Sequence, residues 1–166
     1  MLNILSFRPS YAGPAAELIL SIQRAEFGMP ITLDDQPDLR DIAAFYQKGN
    51  GQFWLAVDGD TAVGTIGLLD IGDGAGALRK MFVAPSHRGS VHRTAQRLLD
   101  RLVEWAGERG MAALYLGTTE QFQAAHRFYE KNGFAEIEQT ALLASFPVMA
   151  VDTRFYVKSL EHAPGA

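Results

Sequence analysis

The sequence predicts one α/β domain over residues 1–166, a single mixed central sheet of about six to seven strands with helices on both faces. Three observations predict it. Apolar residues alternate with a period of two through 53–83, marking a meander of antiparallel strands. The period changes to that of a helix through 95–106, and a short apolar strand follows at 111–117, which makes a βαβ unit. No linker-like stretch interrupts the chain, and 166 residues suit one domain.

The elements follow in the order β-α-α-β-β-β-α-β-α-β-β. Residues 3–8 read as a strand that Pro9 stops. Ser10 is the expected N-cap of a helix to Phe27, with Ala15, Leu18, Ile19 and Ile22 at helical spacing and Gly28 and Pro30 at its end. Pro37 suits the first turn of a second helix near 38–48, which Gly49-Asn-Gly51 breaks. Phe53–Val57 is a strand, Asp58-Gly59-Asp60 a hairpin turn, and Thr61–Leu69 the next strand. Gly72 to Gly76 turns the chain into Ala77–Val83. Ala95, Leu98, Leu99, Leu102, Val103 and Ala106 form one apolar helix face, closed by Gly110. After the strand Met111–Gly117 come a helix over Gln121–Asn132 and two strand-like stretches at about 134–144 and 153–160.

Composition narrows the function. Hydrophobic residues are 48% of the chain and charged residues 20%, enough apolar material for one core. With 15 Lys and Arg against 19 Asp and Glu the net charge is 15 − 19 = −4, which argues against nucleic-acid binding. The absence of cysteine excludes disulfides, thiolate metal sites and a cysteine nucleophile, and it agrees with a cytoplasmic setting. The N-terminus lacks a signal-peptide pattern, and no apolar run approaches the ~20 residues of a membrane span. The histidines, His87, His92, His126 and His162, share no metal-ligand spacing, so no metal is expected, and His126 reads as a helix-surface residue. Trp54 and Phe45 read as core.

Two segments carry chemistry. In the first, LRKMFVAPSHRG (78–89) followed by AQRLLDRLVEWA (95–106), a strand enters a turn and the turn enters an amphipathic helix. The unpaired N–H groups and dipole at such a helix start attract an anion, Gly89 frees the turn's backbone, and Arg88 and Arg93 add positive charge. Taken alone, the loop also reads as an ordinary helix start with Ser90 or Thr94 as cap. In the second segment, Ala125, Phe128, Tyr129 and Asn132 recur at helical spacing before Gly133-Phe134, a pattern that core packing with a glycine C-cap also explains.

Together, and in this order, the segments resemble motifs A and B of the GCN5-related N-acetyltransferases (GNAT). The resemblance is sharp over about 78–134. It implies acetyl transfer from acetyl-CoA to an amine, small molecule or peptide, by direct attack and without an acyl-enzyme. It implies that Met81, Phe82 and Val83 line the pantetheine arm. Arg88, Gly89, Ser90, Val91, His92, Arg93, Thr94 and Ala95 would form the pyrophosphate loop. A β-strand N–H near Phe82 or Val83 would stabilise the oxyanion, and Tyr129 would be the general acid to the leaving thiolate. The loop departs from the family's Q/R-x-x-G-x-G/A pattern: in the preferred register Arg93 stands in the place of glycine. In the second motif Phe122 stands where the family often has asparagine. Asp70 and Glu26 are the candidate bases, though both also read as solvated carboxylates. The acceptor is expected between the 26–36 loop, the central strands and the region near 144–152. There Glu26, Asp34, Asp35 and Asp38 would suit a cationic amine, or form an ordinary solvated loop. Relatives often pair through C-terminal strands, so a homodimer is an option. The alternative function is a non-catalytic acyl-CoA-binding module, which the missing loop glycines favour and the retained Tyr129 opposes.

Overall fold

The computed structural model describes residues 1–28, 30–89, 91–120 and 123–160. Seven strands form one sheet in the order β1-β2-β3-β4-β5-β7-β6. They are β1 (Leu2–Ser6), β2 (Gln52–Asp58), β3 (Thr61–Gly72), β4 (Ala75–Val83), β5 (Ala113–Thr118), β6 (Ala135–Ile137) and β7 (Arg154–Ser159). All neighbours are antiparallel except β4 and β5, which the crossover helix α4 (Thr94–Glu108) makes parallel. The other helices are α1 (Ala12–Phe27), α2 (Pro37–Arg40), α3 (Ile42–Tyr46) and α5 (Gln123–Lys131).

Strand β2 shows why the sheet is covered twice. Trp54 and Ala56 enter the cluster under α4 with Leu98, Leu99 and Leu102, while Phe53, Leu55 and Val57 enter the cluster under α1 and α3 with Ile19 and Ile42. Alternate residues point to opposite faces, so a strand apolar at both parities needs a cover on each side.

Several expected boundaries shift. Ser10 does not cap α1: Pro9–Tyr11 form a 3₁₀ turn, and Tyr11 precedes the helix without a side-chain cap bond. Pro14 in the first turn already removes one N–H that would need a partner. The helix expected at 38–48 is two short pieces, because Asp41 leaves helical geometry and its carboxylate accepts from Ala44 N–H at 3.1 Å, capping α3. Strands β3 and β4 run on to a tighter hairpin, Gly72-Asp73-Gly74, in which all three residues have positive φ. The stretch expected as a strand over 134–144 is extended only through β6. The chain then folds back over the sheet to bury Phe146 edge-on against Phe155 and near Tyr115.

Candidate active site

Strands β4 and β5 are paired only at Ala75↔Ala113, Gly76↔Leu114 and Ala77↔Tyr115. β4 continues to Val83 and β5 to Thr118 without further pairing, so the sheet opens between them. Ala84 N–H donates to Val63 C=O at 2.8 Å. By strand alternation the N–H and C=O of Phe82 then face β3, and those of Val83 face the opening. The Val83 carbonyl there accepts from Arg88 Nε at 2.9 Å.

A bulge shapes the β4 wall. Register slips between Thr65↔Phe82 and Gly67↔Arg79, and Lys80 takes φ 53°. Before the bulge Leu78 faces α4, and after it Met81 and Val83 do. On the other face Ala77 precedes it and Phe82 follows. Arg79 and Lys80 therefore both reach the α1–α3 face, at the start of the opening. Lys80 Nζ lies 3.8 Å from Asp38 and 2.5 Å from Gln36 Oε1. Asp38 also accepts from Tyr46 Oη at 2.6 Å, and Gln36 exchanges two hydrogen bonds with Gln23. Burial of the ammonium lowers the Lys80 pKa, and neighbouring Arg79 adds to this, while Asp38 opposes it. Arg79 lies with its guanidinium 5.6 Å from the centroid of Phe45, which is half-buried and packs on the core cluster while covering this cation.

Asp152 stands across the opening. Gly117 is two residues beyond Tyr115 and shares its face. A Cβ on Gly117 would come within 2.6 Å of the Asp152 carboxylate, so the glycine makes room for this acid. Asp152 accepts from Met149 N–H at 2.9 Å. Partial burial raises its pKa, against the opposing effects of that hydrogen bond and of Arg79.

On the α4 face the chain after Val83 leads from β4 to the start of α4 at Thr94. Gly89 has φ 94° and Arg93 has φ 52°, so Arg93 holds the left-handed conformation that glycine adopts most easily. It is the N-cap of α4, and its N–H donates to Gly89 C=O at 3.1 Å. This backbone fits the register that sets Arg93 in the place of a family glycine. Thr94 is buried and donates to His87 C=O, bracing the loop from within. Val91 is fully open, and Ala95 packs against the core. His92 stacks on His87, whose Nε2 meets Asp58 at 2.8 Å. Ser90 and Phe122 lie outside the described residues, as does His162.

Tyr129, on α5, is 7% exposed and its hydroxyl makes no hydrogen bond among the described residues. Its ring packs on Phe134 and Tyr156. Burial, and then the neighbouring Tyr156 phenol, push its pKa up, so it stays protonated.

Other expected residues land elsewhere. Asp70 pairs with Gly76 at the closed end of β4 and β5, and its carboxylate accepts from Asn50 and Gly72 N–H, each at 2.9 Å. Glu26 is engaged by Arg88 in a two-pronged ion pair at 2.6 and 2.7 Å. The acids of the 26–38 region are likewise occupied: Asp34 lies 3.6 Å from Arg40, Asp35 accepts from Thr32, and Asp38 faces Lys80. His126 is not on the surface. It is buried, with Nε2 bonded to Thr119 C=O and Nδ1 2.9 Å from Arg154. Sequence reasoning missed Arg79, Lys80 and Asp152 as site residues. The available signal was a pair of adjacent cations in an otherwise apolar central strand.

Among the described residues no three His, Asp or Glu are grouped to hold a metal, and no helix is long and apolar enough to cross a membrane. Residues 16–134 match the acetyltransferase (GNAT) family model. The chain is 36% identical over 105 residues to N-acetylaspartate synthetase of Danio rerio, a match covering 62% of this chain and 36% of that protein. It thus spans only about a third of that relative's length. A GNAT-family acetyltransferase structure from Staphylococcus aureus superposes with a TM-score of 0.92 at 41% identity, covering 97% of this chain and all of that one. An N-acetyltransferase from Thermoplasma acidophilum, solved in complex with coenzyme A, shares the fold at 16% identity and a TM-score of 0.72, with 96% and 99% covered. The split sheet, the bulged strand and the loop that enters α4 are therefore those of a family member: this chain belongs to the acetyltransferase (GNAT) family.

Proposed function

We propose that this chain transfers an acetyl group from acetyl-CoA to an amine, acting as one domain in the opening between β4 and β5. One observation carries the proposal. The unpaired edge of β4, the loop with its two left-handed residues and the start of α4 lie in sequence along one path. Such a path fits an extended amide chain ending in a diphosphate. The edge offers the Val83 N–H beside a carbonyl that already accepts from Arg88, and the helix start offers unpaired N–H groups beside exposed Arg93 and Arg97. Met81 and Val83 would line the chain, and the Arg88 to Ala95 loop would hold the phosphates, with Thr94 bracing it.

Acetyl-CoA supplies the thioester carbonyl, at which the amine forms a C–N bond as the C–S bond breaks. The Val83 N–H is the β4 donor placed for the oxyanion, since Phe82 N–H faces β3. Tyr129 gives its phenolic proton to the departing sulfur and is restored by the proton that the acylated nitrogen sheds. The acceptor enters as an ammonium, so a base must first take one proton. Asp70 and Glu26 are held in other contacts, and this role passes to Asp152, whose partly buried carboxylate faces the opening from the acceptor side. A cytoplasmic setting and pairing of two copies near β6, the edge strand, belong to the same proposal.

Calorimetric titration with acetyl-CoA, together with a thiol-reagent assay of CoA release across an amine panel, tests it. The chain has no cysteine, so the reagent reads CoA alone. Wild type is expected to bind at micromolar concentration and to turn over. Tyr129→Phe should bind equally and lose about 100-fold or more in kcat. No binding up to millimolar acetyl-CoA overturns the proposal. Binding without turnover of any amine would favour a non-catalytic acyl-CoA module, a reading that Arg93 in the place of glycine invites. The glycine-like backbone of Arg93 speaks against it.

A further inference from the structure

Arg79 is a charged group at the opening that the reaction above does not use. It lies two residues past the last β4–β5 pair, Ala77↔Tyr115, on the acceptor face. It is half-buried, its guanidinium packs over Phe45, and Nη2 approaches Met149 Sδ at 3.5 Å. Among the described residues no carboxylate comes within ion-pair distance of it. Adjacent Lys80 differs: Asp38 faces it and Gln36 accepts from it. Holding a guanidinium partly out of water with no direct ion pair, and with Asp152 acting on it only at longer range, is unfavourable, and a ligand that supplies a charge in contact relieves the cost. The planar fork of arginine matches a carboxylate with two parallel N–H···O bonds. Across the same mouth, Asp152 offers the opposite charge above Gly117. The mouth is thus bipolar, with a cation on the β4 side and an anion on the β5 side.

Resting on the acetyl-transfer reading, we infer that the acceptor is a small amine that carries a carboxylate, such as a free amino acid, with the carboxylate on Arg79 and the amine facing Asp152. Lys80 is a positioning residue. Its links to Asp38 and Gln36 tie the bulge to α2, directly after Arg79, which shares the face of Ala77 by strand alternation. The expectation of a cationic acceptor drawn by acids at 26–38 is replaced, because those acids are occupied within the protein.

The test is CoA release by the full chain with saturating acetyl-CoA, using matched acceptors: free amino acids, their amides, peptides with a blocked C-terminus and an acidic side chain, and polyamines. Free acids should exceed their amides by about 100-fold in kcat/KM. Arg79→Gln should remove most of the advantage of the acids over their amides and leave acetyl-CoA affinity unchanged by calorimetry. Arg79→Lys should restore part of the difference. Equal turnover of acid and amide by the wild type, or an acid-to-amide ratio that Arg79→Gln does not change, overturns the inference while acetyl transfer stands. Preference for polyamines does the same, and preference for the acidic peptides assigns the carboxylate to a peptide side chain and overturns the free amino acid. Failure to bind acetyl-CoA, or to acetylate anything, removes the underlying reading and this inference with it.

Discussion

On the α4 side of the opening, the surface offered to a ligand is mostly main chain: the free edge of β4, the loop through Gly89 and Arg93, and the first turn of α4. On the α1–α3 side it is almost wholly side chain. Arg79, Lys80, Asp38, Tyr46 and Asp152 come from four separate stretches of the sequence. The first kind of surface tolerates substitution as long as the backbone keeps its path. Arg93 shows this, holding a left-handed residue's geometry at a cost of roughly 1 kcal/mol. The second kind depends on each side chain and changes its chemistry with one exchange.

Three substitutions sharpen that contrast. The largest effect is expected at Asp152. Asp152→Asn should lower kcat about 100-fold at neutral pH and abolish the rise of rate with pH, measured as a pH–rate profile. It should also stabilise the protein at neutral pH. The carboxyl pKa is raised in the folded state, mainly by burial, so the folded protein binds the proton more readily and stability falls as pH rises through that range. The gain of the asparagine variant in denaturant melts should therefore shrink as pH drops below the carboxyl's ordinary range. A variant less stable than wild type at neutral pH would contradict the burial account.

Gly117→Ala comes next. The added methyl would displace the Asp152 carboxylate, now 2.6 Å from its position. We expect kcat/KM for the amine to fall about 10-fold, with acetyl-CoA affinity intact by calorimetry. Loss of acetyl-CoA affinity instead would mean that the two sides are not separable.

The smallest effect is expected on the main-chain side. Arg93→Gly relieves the left-handed cost but adds freedom to the unfolded chain, so stability should stay within about 0.5 kcal/mol. Acetyl-CoA should bind a few-fold more weakly, with a shallower salt dependence, because one exposed cation is gone. Tighter binding would show that the side chain crowds the loop.

The same contrast explains what was legible in the sequence. The βαβ unit, the loop and Tyr129 lie within about one contiguous stretch, because helix starts, tight turns and strand edges are local and impose local residue choices. The acceptor wall is not local. Asp152 reaches the opening only because β7 inserts between β5 and β6, and Lys80 joins Arg79 on the acceptor face only because a bulge breaks the alternation. Neither event leaves a period to read. Glu26 misled for a related reason: its partner Arg88 is 62 residues away. Asp70 sits on β3, beside the site strand β4, but only the three-pair contact of β4 with β5 reveals that it occupies the closed end.

That short contact has a consequence for how the molecule comes apart. With three residue pairs joining β1–β4 to β5–β7, the backbone ladder nearly divides the sheet in two. The apolar cluster does not: Trp54 and Val63 from the first half, Leu114, Leu116 and Tyr156 from the second, and Leu98 and Leu102 of α4 pack as one body. Side chains rather than hydrogen bonds carry cohesion across the gap, so the halves should melt together in one cooperative transition. The amides lining the slot should nevertheless exchange with solvent far sooner than those of β2 and β3, which are laddered on both sides.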